Sequence, residues 1–229
     1  MAGLMTIRRA ILDANRQLPP MYKPYDYIQC NGRRARFDTG VYGNDETLVF
    51  DFGYMSLKPD SYGYRGNFGN HDGDDKRCWR LITSAATDNS KLTFTALNRR
   101  AGSSTSIQVV SDDQTSAYGV KIHINLSYGR CSIVNEHGWS KTVTTSDDGT
   151  QAVSTLNIAI GSTYATSTNT DASNSCRFYG PFKIWSQGVL VRDYRPCVRV
   201  RDNKAGFYDM VNHTFNSSTG VIEFVAGNG

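Results

Sequence analysis

Apolar and polar residues alternate along most of the chain after residue 25. The clearest runs are Leu48, Phe50 and Phe52; Leu92, Phe94 and Ala96; Val120, Ile122, Ile124 and Leu126; and Leu156, Ile158 and Ile160. A period of two places one face of each strand in the core and the other in solvent. Turn-forming residues, such as Tyr128-Gly129 and Gln187-Gly188, separate strands of this kind. Many short strands joined by such turns predict an all-β antiparallel sandwich or jelly roll.

The first 20 residues follow a different pattern. Their apolar residues recur at spacings of three and four, as in the seam of a coiled coil: Leu4, Ile7, Ile11, Ala14 and Leu18. Pro19-Pro20 then ends the helix. A helix of about 15 residues is marginally stable alone in water, so it needs a partner to pack against. We therefore predict a helical anchor or oligomerisation segment over residues 1–20, and a jelly-roll domain over residues 25–229.

Two long polar stretches, residues 61–76 and 162–175, are predicted to be surface loops, and loops of such length are often functional. Tyr62, Tyr64 and Phe68 in the first loop are candidate ligand-binding residues, because aromatic rings stack on the apolar faces of sugars. The alternative is that these rings only cover the rim of the sandwich.

The same loop contains an acidic run, Asp72, Asp74 and Asp75, which is a candidate calcium site because calcium prefers several carboxylate oxygens. The spacing differs from that of an EF-hand loop, so a solvated acidic turn is the alternative. Apart from calcium at this candidate site, we expect no cofactor.

The composition narrows the class of protein. With 229 residues and 25.4 kDa the chain fits one sandwich domain. No apolar stretch approaches the roughly 18 to 20 residues that cross a bilayer, and no signal segment is present. We therefore expect a protein that is made in the cytoplasm and does not associate with a membrane. The cysteines are odd in number and widely spaced, which predicts buried thiols without disulfides: Cys30, Cys78, Cys131, Cys176 and Cys197.

The formal net charge is +4, and arginines cluster at positions such as Arg192, Arg195 and Arg199. Such clusters suit protein interfaces or nucleic acid, but we expect each of them to be an ordinary solvated face. Nucleic-acid binding requires basic and aromatic residues on one face. The sequence gives no sign of such a face. Because we interpret the arginine clusters as solvated, we do not expect nucleic acid as a partner.

The acidic residues argue against an enzyme. A glycoside hydrolase needs two carboxylates flanking the scissile bond. The three glutamates, Glu46, Glu136 and Glu223, have no carboxylate two residues away on a strand. Nucleophile elbows, zinc-binding histidine pairs and phosphate-binding glycine loops are also absent from the sequence. We therefore predict that the protein is not an enzyme.

Two parts of the chain, one near each end, resemble a known family. Phe182–Trp185 leads through Gln187-Gly188 into Val189–Cys197, and Gly206–Asn212 follows. Near the other end, Tyr25–Gly32 and Phe37–Gly40 match the opening strands of the same family. These segments are similar to the laminin-G-like, concanavalin A-like jelly-roll domain of bacteriophage structural proteins.

The resemblance implies a non-enzymatic virion structural protein, assembled in the bacterial host cytoplasm and displayed on the particle as a capsid decoration, head fibre or tail-associated protein. It implies other virion proteins as partners, and we expect a homo-oligomer. The alternative is a carbohydrate-binding adhesin that recognises a host-surface glycan. Within the closing hairpin, Trp185, Val189 and Val191 are expected in or beside the core, and Asp193 and Arg195 are expected to be structural.

Overall fold

The computed structural model describes residues 17–30, 35–57, 64–70, 78–85, 92–97, 107–110, 119–144, 154–162, 176–220 and 222–229. These residues form β-strands with the following bounds: β1 (Tyr22–Pro24), β2 (Tyr27–Cys30), β3 (Phe37–Tyr42), β4 (Val49–Ser56), β5 (Tyr64–Gly69), β6 (Arg80–Ala85), β7 (Leu92–Leu97), β8 (Ile107–Val110), β9 (Ile122–Ser127), β10 (Arg130–Asn135), β11 (Ser140–Thr144), β12 (Asn157–Ile160), β13 (Cys176–Ser186), β14 (Val189–Arg199), β15 (Lys204–Asp209), β16 (Thr214–Ser217) and β17 (Val225–Gly227). The predicted helix over residues 1–20 lies almost entirely outside the described residues.

The strands form two antiparallel sheets. The larger sheet has the order β11-β10-β9-β4-β13-β14-β15-β16, with β2 between β13 and β17 and with β1 beside β14. The smaller sheet has the order β3-β12-β5-β6-β7-β8. Early strands pair with late ones in a nested way, since β2 pairs with β13 and β3 pairs with β12. This nesting confirms the predicted all-β sandwich of the concanavalin A-like jelly-roll type.

Aromatic side chains from both sheets fill the space between them. Phe52 of β4 stacks on Phe182 of β13, with ring centroids 4.4 Å apart and an interplanar angle of 12°. Phe68 of the smaller sheet lies 4.8 Å from Phe50, which in turn lies 5.1 Å from Trp79. All five rings are fully buried. Rings packed at these distances add attraction beyond the area that they bury, so this cluster joins the two sheets.

The predicted strand faces and turns agree with the structure where it describes them. Leu48, Phe50 and Phe52 are buried, as are the apolar residues of β9. Gln187 and Gly188 adopt φ angles of 52° and 77° in the turn between β13 and β14. Two consecutive positive φ angles are what a tight hairpin turn of the I′ type requires.

Three predictions about individual residues are wrong. Trp185, expected in or beside the core, is partly exposed and is not among the residues that pack on the core cluster. Residues 64–69 of the predicted loop 61–76 form strand β5, and Phe68 is fully buried in the core. Glycine at 66 and 69 hides the alternation of that strand. Val189, expected in or beside the core, is 65% exposed because it begins β14 at the hairpin turn. Val191 does pack against the core, as predicted.

All five cysteines are buried, and none forms a disulfide, which confirms the prediction from their number and spacing. Within the described ranges, no helix is long and apolar enough to cross a membrane.

Candidate functional site: the outer face of the larger sheet

The larger sheet has a second face that points away from the core, and we call it the outer face. Strand β13 shows the division most clearly, because Phe178, Phe182 and Ile184 enter the core. The alternate residues of the strand therefore belong to the outer face: Arg177, Tyr179, Pro181, Lys183 and Trp185. Basic and aromatic residues thus follow one another along the middle strand of this face.

The strand register aligns polar residues in a row across the outer face. Starting from β14, the row contains Asp193, Lys183, Asp51, Asn125, Ser132 and Thr142. It crosses six strands, and at a spacing of about 4.8 Å it is about 24 Å long. The hydroxyl groups of Ser132 and Thr142 lie 2.9 Å apart and share a hydrogen bond. The row offers charged, amide and hydroxyl groups side by side.

Beside the polar row lies an apolar row formed by Leu190, Trp185 and Val49. All three side chains are partly exposed. The Lys183 ammonium lies 5.9 Å from the centroid of the Trp185 ring, so it joins the two rows. A half-exposed tryptophan next to hydrogen-bonding groups is an arrangement that suits a ligand with both an apolar face and polar edges.

On the other side of the polar row the surface forms a depression of about 530 Å³. Its lining includes Gly53, Lys121, His123, Glu136, Tyr179 and Pro181. Gly53 allows the close approach of β13 at Tyr179, because a Cβ atom at residue 53 would lie 2.7 Å from the Tyr179 Cβ. The volume is within the roughly 300–1,000 Å³ typical of small-molecule sites.

Tyr179 itself is a structural part of this depression. Its hydroxyl donates a hydrogen bond to the Met55 sulfur at 3.7 Å, and its ring packs 5.3 Å from that of Tyr27. Burial raises the pKa of the Tyr179 hydroxyl, although the neighbouring Arg177 opposes that shift. The phenol therefore stays neutral at ordinary pH, and its ring packs beneath the Lys121 ammonium.

The motif residues that follow β13 form an internal network at the edge of this face. Asp209 is buried, and it accepts hydrogen bonds from the backbone of Asp193 at 3.2 Å and from the Asn212 amide at 2.7 Å. Asp193 is bound in turn by the Arg195 guanidinium at 2.8 Å. These contacts match the structural role that the family resemblance implies for Asp193 and Arg195.

The residues predicted from sequence as site residues are not brought together by the described part of the structure. Those that lie outside it are Leu4, Ile7, Ile11, Ala14, Tyr62, Asp72, Asp74 and Asp75. Leu18 is half-buried beside Tyr22, and Tyr64 begins β5. Phe68 is a core residue, so its prediction as a ligand-binding residue is wrong. Among the described residues, no three histidine, cysteine or acidic side chains come together as a metal site.

The outer face of β13 was not found from the sequence. Its signal is present, because Arg177, Tyr179, Lys183 and Trp185 stand at alternate positions of one segment. That signal becomes meaningful only when the partner strands are known, since β4 and β9 supply the rest of the face.

Comparisons with known proteins give only distant similarities. No family model matches the chain, and no curated protein matches it. A heptameric pentraxin from Limulus polyphemus is similar at 11% identity and a TM-score of 0.41, covering 74% of this chain and 72% of that one. Scytalido-glutamic peptidase is similar at 13% identity and a TM-score of 0.43, covering 87% and 99%. Chicken galectin 2 is similar at 13% identity and a TM-score of 0.33, covering 67% and 99%. Similarities this distant carry no argument about function.

Proposed function

We propose that this protein is a non-enzymatic structural protein of a bacteriophage virion, displayed on the particle as a capsid decoration, head fibre or tail-associated protein. The observation that carries the proposal is that residues of the motif shared with the phage family contact one another in the structure. The Asp193 carboxylate binds the Arg195 guanidinium, and the Asp193 backbone nitrogen donates a hydrogen bond to Asp209. The setting on a virion rests on that sequence resemblance.

The arrangement of acidic residues supports a role without catalysis. Within the described strands, no strand has two carboxylates at alternating positions, as a glycosidase pair of that pattern would need. Asp51 is bound to His123 at 2.7 Å, and Asp193 is bound to Arg195 at 2.8 Å. These two acids of the outer face thus already have partners.

Attachment to the particle is assigned to residues 1–20. Leu18, the last residue of the predicted seam, lines a depression of about 460 Å³ together with Tyr22, Tyr25 and Arg195. Deleting residues 1–20 retains β1 and every later strand, so we expect a folded protein that no longer joins its oligomer or its particle. Sedimentation of the truncated protein and its incorporation into particles measure this. Unfolding of the truncated chain would place residues 1–20 in the domain core instead.

The main proposal is tested on purified particles. Mass spectrometry should detect the chain in gradient-purified virions, and electron microscopy should show sandwich-sized density outside the shell or on the tail. Absence of the chain from purified virions would overturn the proposal.

The second candidate function is a carbohydrate-binding adhesin that recognises a host-surface glycan. It is favoured by the half-exposed Trp185 beside the polar row of the outer face. A glycan array probed with the purified protein tests it, and binding should weaken when Trp185 is replaced by alanine. A protein that joins particles but binds no glycan would leave the structural role alone.

A further inference from the structure

We propose that the outer face binds an acidic polysaccharide whose sugars carry carboxylate groups, and that Lys121, Lys183 and Arg177 hold it. This inference rests on the second proposed function, glycan binding, and adds the chemical class of the glycan and the residues that select it. It does not depend on where the protein sits on a virion.

The three cations are held in place by aromatic rings. The Lys121 ammonium lies 4.2 Å from the centroid of the Tyr179 ring, and the Arg177 guanidinium lies 4.3 Å from that of Tyr27. The Lys183 ammonium lies 5.9 Å from the centroid of Trp185. A ring attracts a cation and fixes its position but does not neutralise it. These charges are therefore positioned and still available to an anion.

None of the three cations has a carboxylate of the described residues within ion-pair distance. Lys183 stands between Asp51 and Asp193 in the strand register, yet each of those acids is bound elsewhere. Asp51 binds the His123 imidazole at 2.7 Å, and Asp193 binds Arg195 at 2.8 Å. The acids beside Lys183 thus leave its ammonium unpaired.

The charge balance of the outer face is positive as a result. In the part of this face between β10 and Arg195 of β14, the described Lys and Arg side chains are Lys121, Arg130, Arg177, Lys183 and Arg195, against the acidic Asp51, Glu136 and Asp193. Glu136 is the remaining acid, and its carboxylate accepts a hydrogen bond from the backbone nitrogen of Lys121 at 3.1 Å. A surface with excess fixed cations attracts a ligand with regularly spaced negative charges.

The rest of the face suits the neutral groups of a sugar chain. Asn125, Ser132 and Thr142 continue the polar row from Lys183 toward β11, and they offer amide and hydroxyl groups for sugar hydroxyls. The row of about 24 Å is long enough for a short oligosaccharide lying across the strands. Trp185 adds a half-exposed ring at its edge.

The buried state of the tyrosines favours a glycan over single-stranded nucleic acid. Proteins that bind single strands stack the bases on exposed aromatic rings. Tyr179 is 2% exposed and Tyr27 is 9% exposed, so neither ring is accessible to a base. Of the three rings under the cations only Trp185 is accessible, so the face lacks the series of exposed rings on which successive bases stack. Such a face suits carboxylates on sugars better than nucleotides.

The experiment measures binding of the full chain to immobilised polysaccharides at fixed ionic strength. Polygalacturonate and polysialic acid are the acidic probes, dextran is the neutral probe, and an oligodeoxythymidylate is the nucleic-acid probe. We expect the protein to bind at least one acidic glycan, and to bind it more weakly as salt is added. The two acidic probes distinguish a hexuronate from a sialate as the source of the carboxylate.

The matched variants replace lysines by glutamine. Lys121→Gln combined with Lys183→Gln should weaken acidic-glycan binding by about tenfold or more, because charge-assisted contacts are lost. Lys23→Gln is the control, since Lys23 also lies over a tyrosine ring, 5.3 Å from the centroid of Tyr25, but on β1. It should bind as the wild type does. Lys121 is exposed, so the single Lys121→Gln variant serves if the double variant folds poorly.

The outcomes separate this inference from the function on which it rests. Equal binding of dextran and the acidic glycans would support glycan binding and overturn the acidic class. Binding to no glycan on this panel or on the glycan array would overturn both. Stronger binding of the oligonucleotide, or full binding by the double variant, would overturn the assignment of Lys121 and Lys183 to an acidic glycan.

Discussion

Cys30 of β2 lies directly opposite Cys176 of β13, and the two thiols are completely buried without forming a disulfide. Burial raises the pKa of the Cys176 thiol well above its usual range, and the contact with Cys30 raises it further. Both side chains belong to the core cluster between the sheets. These cysteines are therefore packing residues in the strand pair that brings the two ends of the chain together.

The buried cysteines predict a protein whose thiols are unreactive while it is folded. Burial raises the pKa of Cys131 and of Cys197 to about 12 each, and the thiolate is the reactive form. We expect native protein at pH 8 to react very slowly with Ellman's reagent. In concentrated guanidinium chloride all five cysteines should react. Rapid reaction of the native protein would contradict this prediction, and fewer than five thiols after unfolding would indicate a disulfide.

The strand pattern was predictable where both faces of a strand have a clear character. Leu48, Phe50 and Phe52 alternate with less apolar residues, and the structure buries all three. Phe68 was misassigned because Gly66 and Gly69 interrupt the same alternation. Val189 was misassigned because the register between β13 and β14 shifts after Ile184, and the hairpin end turns into solvent. A bulge of this kind depends on the partner strand and leaves no mark in the local sequence.

The candidate site was less predictable than the fold, because its residues come together through long-range pairing. Asp51, Asn125 and Lys183 are far apart in the sequence, yet they are neighbours in one row. From its local sequence, each of them is expected to be an ordinary solvent-facing residue of its own strand. Only the order of strands in the larger sheet shows that they share a surface with Trp185.

The aromatic cluster predicts a large difference between two substitutions in the closing hairpin. Phe182 is fully buried and stacks on Phe52, so Phe182→Ala should lower the free energy of unfolding by about 3–5 kcal/mol. Val189 is 65% exposed, so Val189→Ala should change it by less than about 0.5 kcal/mol. Urea unfolding followed by tryptophan fluorescence measures both. Similar costs for the two variants would contradict the burial pattern of this hairpin.

The Asp209 network predicts a strong dependence of stability on one carboxylate. Asp209 accepts hydrogen bonds from the backbone of Asp193, from that of Val211 at 3.0 Å and from the Asn212 side chain. Asp209→Asn replaces one acceptor oxygen by a donor that faces these donors, so we expect a loss of about 2–3 kcal/mol. Asp202→Asn is the control, because Asp202 makes a solvent-exposed pair with Arg199. The control should melt close to the wild-type temperature in calorimetry. A mild effect of Asp209→Asn would mean that the network is not needed to close the sandwich.

The hydrogen bonds of Asp45 predict that part of the stability of the fold depends on pH. Its carboxylate accepts hydrogen bonds from the hydroxyl groups of Ser186 and Thr47, and Thr47 in turn accepts one from the backbone of Gln187 at 2.6 Å. The turn before β4 is thus tied to the end of the β13–β14 hairpin. Burial by itself raises the pKa of Asp45, but the bonds from Ser186 and Thr47 outweigh it and hold the pKa below 3.8.

A carboxyl group whose pKa is lower in the folded state stabilises the fold above its unfolded pKa, and this contribution is lost as the pH falls through the folded value. We therefore expect Asp45→Asn to melt at a lower temperature than the wild type at pH 7. The difference should narrow as the pH is lowered below about 4. Glu223→Gln is the control, since Glu223 is exposed and lies 3.6 Å from Lys204. A gap between Asp45→Asn and the wild type that stays constant down to pH 3 would show that the shape of Asp45, and not its charge, holds the hairpin.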